Sequence, residues 1–197
     1  MSNVPTRQFS HAALGVGRGE GSLAARLLRH LGLFVTDNGP SLLGDPWYTA
    51  AIDPDIHDGE LGNLGFFVTP VSDAQVALER AMTELPEVDG LRAEKLRKPD
   101  SSPHVAISYR DLDEIAEAVT AIEADDSLTG RHTILRFRPQ SASDGLEHLL
   151  DTSAVFGSAD RVRYHFDGVQ VFLQTDLFSA GLLVLGQSIE LNWTKPR

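Results

Sequence analysis

The chain has 197 residues, 42% of them hydrophobic and 23% charged, which is enough apolar material for a packed core and excludes a disordered chain. Its 28 acidic residues against 17 lysines and arginines leave a formal net charge of -11, so phosphate backbones and anionic lipid surfaces are poor partners. Cysteine is absent, which excludes disulfides, thiolate metal sites, Fe–S clusters and cysteine nucleophiles together.

The opening stretch MSNVPTRQFSHAALGV lacks the apolar run of a signal peptide, and no apolar run reaches the ~18 residues of a membrane span. A soluble cytoplasmic protein is expected. The first strand is expected in Ser10-His11-Ala12-Ala13-Leu14-Gly15-Val16. An amphipathic helix follows, with Ser22 as its expected N-cap, Leu23, Leu27 and Leu31 on one stripe and Gly32 as its stop. Strands over 33–36, 47–52 and 65–71 come next, punctuated by Pro40, Gly44-Asp45-Pro46 and Asp53-Pro54-Asp55. A helix over 73–85 should place Leu78, Ala81, Met82 and Leu85 on one side. The residues 87–102 read as a polar linker.

Pro103-His104-Val105-Ala106-Ile107-Ser108-Tyr109 then repeats the opening pattern. Asp111 caps a helix striped with Ile115, Val119 and Ile122. Strands are expected over 133–138, 162–166, 169–174 and 182–193, with a hairpin at Asp167-Gly168. The second copy is longer, and its insert falls near 139–160. The expected organisation is therefore a first βαβββ module with its trailing helix (1–86), a linker (87–102) and a second βαβββ module (103–197). The expected fold class is α+β, and two modules of this kind can pair their curved mixed sheets into a half-open cup.

Strand residues two apart share a face. His11, Ala13 and Gly15 form one such set, His104, Ala106 and Ser108 another, and Ser188, Glu190 and Asn192 a third. Small neighbours leave room beside each imidazole. An acid inside an apolar strand is costly unless paired or bound to a metal. His11, His104 and Glu190 thus form a candidate 2-His-1-carboxylate set, which leaves three open positions on an octahedral metal. Against this stands the ordinary reading of each His as a surface or hydrogen-bonded residue.

With these residues in view, the chain resembles the vicinal oxygen chelate superfamily. That group includes glyoxalase I, fosfomycin- and bleomycin-resistance proteins and type I extradiol dioxygenases. The resemblance rests on His11 in SHAALGV, His104 in PHVAISY with the following RDLDEIAEAV, and Glu190 in GQSIELNW. Glyoxalase-like members carry a ligand on the first and last strands of both modules. Here the first module's last strand, Gly65-Phe66-Phe67-Val68-Thr69-Pro70-Val71, has no carboxylate, and Glu190 aligns near Thr69. The order His11, His104, Glu190 follows the extradiol pattern. The turn before Glu190 and the insert depart from common members.

The resemblance implies an Fe(II) enzyme that opens a catechol with O2, with Mn, Ni or Zn as the alternative metals. Compact members of this kind open catecholic amino acids such as L-DOPA in natural-product pathways. Two other classes stay open: a glyoxalase-like metal-dependent lyase or isomerase, and a metal-free bleomycin-resistance-type binding protein. His165 is the first choice for the acid–base residue, with Tyr164 competing from the opposite face. His132, Gln174 and Tyr109 rank below them. Arg163 would hold a substrate carboxylate, and Phe172 and Gln174 would contact substrate. Trp47, Tyr48, Phe67 and Phe172 line either an aromatic pocket or the core. His30, His57 and His148 are expected at the surface, as are the acidic runs 111–117 and 123–126. The expected partners are a small aromatic substrate and O2. Pairing of the modules within one chain or across a homodimer is left open.

Overall fold

The structure is a computed structural model that describes residues 11–52, 65–101, 104–162, 167–179 and 187–195, with the backbone alone for His11, Ser101, Asp144 and Gln187. The first sheet is built from β1 (His11–Val16), β2 (Phe34–Pro40), β3 (Pro46–Ala51) and β4 (Gly65–Pro70), with α1 (Gly21–His30) between β1 and β2. Its order is β2-β3-β4-β1, and β1 runs parallel to β4. The second sheet repeats this plan. β5 (His104–Ser108), β6 (His132–Pro139), β8 (Gly168–Thr175) and β10 (Gln187–Thr194) stand in the order β5-β10-β8-β6, with α4 (Leu112–Glu123) following β5. The strand–helix–three-strand order expected from the sequence is therefore present twice, and the fold is α+β with two mixed sheets.

Alternation decides which way each sheet faces. Leu14, Val16, Tyr48, Ala50 and Val68 are buried under α1, while Ile107, Val169, Val171, Leu173, Ile189 and Leu191 are buried under α4. The two sets join in one hydrophobic core, and α1 packs against α4. Asp111 caps α4 as expected, accepting from the Asp113 backbone N–H at 3.1 Å. Gly32 closes α1 at φ +77°, as expected of a helix stop. Ser22 does not cap α1. The helix starts two residues earlier than that cap implies, at Gly21, and its N-cap is Glu20, whose side chain makes no capping bond.

Each sheet carries a fifth strand. β7 (Asp160–Val162) joins β6 in parallel at the edge of the second sheet. The expected strand over 162–166 lies outside the described residues apart from Val162, which ends β7, and with it lies the expected hairpin at Asp167-Gly168; β8 itself pairs with β6 on one side and β10 on the other. β9 (Phe178–Ser179) leaves the second half of the chain and pairs antiparallel with β1. The insert holds α5 (Asp144–Thr152), anchored by the buried Arg138. Its guanidinium bonds Glu147 (3.1 Å) and Asp151 (2.7 Å), and Arg161 joins the same carboxylates.

The stretch expected as a linker is mostly α3 (Pro86–Arg97), followed by a short 3-10 turn at Pro99–Ser101. Pro at the first turn, Glu87 and Asp89 near the start and Lys95 and Arg97 near the end suit a helix dipole. Its buried side chains, Val88 and Lys95, are one apolar and one basic, so the helix leaves no apolar stripe to read. In α2 (Asp73–Thr83) no residue is buried, and Leu78 and the following Leu85 are each 49% exposed. The expected apolar side of that helix is thus present but uncovered. Among the described residues, no helix is long and apolar enough to cross a membrane.

Candidate metal centre

The face of the second sheet turned away from α4 carries three rows of side chains. Register places His104, Ser188 and Gln174 in the first, Ala106, Glu190 and Phe172 in the second, and Ser108, Asn192 and Gln170 in the third. His104 Nε2 lies 3.0 Å from Glu190 Oε2. Gln170 donates from Nε2 to the other carboxylate oxygen of Glu190 at 2.6 Å. Glu190 is 6% exposed, so its charge sits in a dry position with both oxygens engaged. Phe172, 1% exposed, meets the His104 ring edge-on at 5.7 Å and packs against Phe137 at 5.9 Å. The face is closed over β8 and β10 and open over β5, where Ala106 and Ser108 are exposed.

The donor set suits a divalent cation of borderline character. Two ligand atoms about 2.1 Å from a metal and at right angles to one another stand about 3 Å apart. The His104–Glu190 separation matches that edge. The same spacing serves a direct N–H···O bond when no cation is between the groups. Gln170 holds the carboxylate from behind, the kind of outer contact that orients a metal ligand. His104 and Glu190 therefore fit a metal. Among the described side chains, no three of His, Asp or Glu gather closely enough to hold one, and the third expected ligand, His11, is described by its backbone alone. That backbone opens β1, beside Gly65 of β4.

The other expected residues divide as follows. Arg163, Tyr164, His165 and His57 lie outside the described residues. Gln174 stands on the site face, but its amide donates to the Lys95 carbonyl at 3.2 Å, which brings α3 over that end of the sheet. Lys95 itself is buried, and burial lowers its pKa. His132 turns its Nδ1 to the Leu128 carbonyl (2.9 Å), on the α4 side. Tyr109 donates to the Leu31 carbonyl at 2.8 Å, and burial pushes its hydroxyl pKa far up. Both therefore do structural work away from the site. Tyr48 belongs to the core, whereas Trp47 and Phe67 meet edge-on on the opposite face of the first sheet.

Two surface expectations are corrected. His30 and Asp125 are paired at 2.7 Å, with the Asp125 side chain only 3% exposed. Asp125 also takes Arg26 and two bonds from Ser127, so the acidic run 123–126 contains a buried anchor. Gly15 also differs from expectation. A Cβ there would lie 2.6 Å from Val71 and 3.3 Å from Ser179, so its smallness admits neighbouring chain rather than a ligand. Register also corrects the alignment of Glu190. Glu190 stands opposite Ala106 and Phe67 opposite Ala13, so the first-sheet equivalent of Glu190 is Phe67, not Thr69. Gln170 was missed. Its spacing from Phe172 and Gln174 is visible in the sequence, but its pairing with Asn192, two residues beyond Glu190 on the same face, is not.

No protein-family model matches the chain, and no curated protein matches its sequence. Among solved structures, a glyoxalase family protein from Bacillus cereus aligns over 100% of this chain and 99% of its own, at 10% identity and a TM-score of 0.38. At that level the likeness bears on no residue or activity of this chain.

Proposed function

We propose that the protein is a non-haem Fe(II) extradiol dioxygenase that opens a catechol ring with O2, with His11, His104 and Glu190 as its metal ligands. The observation that carries this reading is the pairing register. It sets apolar Phe67 at the first-sheet position equivalent to Glu190, so these two matching positions offer one carboxylate rather than two. Three protein ligands leave room for both catechol oxygens and O2, whereas a four-ligand glyoxalase set leaves less. When bound, Fe(II) would supply the Lewis acidity that lowers the catechol hydroxyl pKa values and the redox contact between ring and O2.

The protein's own groups then have separate tasks. Gln170 fixes the Glu190 carboxylate, and Phe172 holds the His104 ring and keeps water from the inner wall. The exposed Ala106 and Ser108 leave space for a flat ring over β5. His165 or Tyr164 handles the proton, and Arg163 holds a carboxylate if the catechol is an amino acid such as L-DOPA.

The test is metal analysis of protein purified without chelator, followed by anaerobic Fe(II) loading and exposure to O2 with a panel of catechols. Iron retention, O2 uptake and a yellow ring-opened product are expected. Metal retention without O2 uptake would instead indicate a lyase or isomerase using Mn, Ni or Zn. Protein that takes up no metal would indicate a binding protein.

A further inference from the structure

Among the described residues, the buried side-chain atoms without a hydrogen-bond partner are Arg136 Nε, Arg138 Nε, Glu147 Oε2 and the Ser188 hydroxyl. The first three belong to charged groups whose other atoms are paired with Glu123 or around α5. Ser188 differs, because its single polar side-chain atom is the one left over, and the residue is 0% exposed. It stands on the site face, opposite His104 on β5 and Gln174 on β8, two residues before Glu190. The Gln174 amide nitrogen is committed to the Lys95 carbonyl, and His104 Nε2 faces Glu190. A hydroxyl enclosed without a partner is less stable than a methyl group in the same position, so packing alone does not account for a serine here.

We propose that Ser188 is a ligand-contacting residue whose hydroxyl donates to an anionic oxygen of the bound small molecule beside His104. The chemical class is a vicinal diol or catecholate, and the assignment rests on the function proposed above. A hydroxyl bonded to an ionised oxygen makes a charge-assisted contact, stronger than a neutral one. In that position Ser188 favours molecules that carry oxygens on two adjacent carbons. The contact also gives the buried hydroxyl the partner that the protein does not supply.

The experiment compares wild type, Ser188→Ala and Ser188→Cys, using 4-nitrocatechol as an absorbing probe under anaerobic conditions. Metal content and the thermal midpoint of the ligand-free protein are measured alongside. Ser188→Ala should keep its metal, melt no earlier than wild type and bind the probe on the order of tenfold more weakly. Ser188→Cys, similar in size but a weak donor, should lose affinity too. Wild-type affinity in both variants, with metal intact, would overturn the assignment and leave the metal site standing. A lower midpoint with unchanged affinity would also overturn it, because the hydroxyl would then serve the fold. Wild-type protein that takes up neither metal nor probe would overturn both this assignment and the proposed function.

Discussion

Glu190 shows how much one side chain discloses before its neighbours are known. An acid between Ile189 and Leu191 in a strand announces a special environment, and the structure places it at 6% exposure with His104 on one oxygen. The group on its other oxygen, Gln170, lies 20 residues away in sequence and is fixed only by strand register. Gln170→Leu should leave that oxygen without its donor and let the carboxylate turn. Metal affinity should fall by roughly ten- to a hundredfold, read by titration with Co(II) and its visible absorption. An unchanged titration would show that Gln170 does not orient the ligand.

Strands and helices report on their sequences unevenly. β1, α1, β5 and α4 carry clear alternation or a clear apolar stripe, and each forms near its expected position. α3 carries no such stripe, so its residues resembled a linker. β9 is only two residues long and has no local signature, yet it connects the second half of the chain to the first sheet through Gly15↔Ser179 and Val16↔Phe178. The joint depends on Gly15, where an added methyl would meet Val71 and Ser179. Gly15→Ala should destabilise the fold by about 1–3 kcal/mol through overpacking, measured by urea unfolding. Stability equal to wild type would mean that Val71 yields at little cost.

At the level of the folded chain, the two halves are held by a shared core and by a few polar contacts. Tyr109 bonds the end of α1, Arg131 bridges Glu20 and Asp176, and Asp125 accepts from α1 as well as from Ser127. The Ser127 hydroxyl, then His30 and Arg26, hold the Asp125 carboxyl well below the usual carboxylate range. The folded state therefore binds this proton less readily than the unfolded chain. Asp125 contributes its full stabilisation above about pH 4 and loses it as pH falls through the lowered folded value. Asp125→Asn should reduce stability at pH 7, and the gap from wild type should narrow in acid. Urea midpoints at pH 7 and near pH 3 would check this, and a gap that does not shrink would sink it.

The repeat of strand, helix and three strands, the inward face of each strand and the placing of His104 and Glu190 on strand faces were legible in the amino-acid order. Alternation and helical spacing are local properties, and an acid in an apolar strand is conspicuous wherever it falls. Other features needed the folded chain. The equivalence of Glu190 with Phe67, the Gln170 contact, the buried Asp125 and the crossing of β9 all depend on which distant segments lie side by side. That depends on register and packing between elements far apart in sequence, where a shift of one residue turns every side chain to the other face.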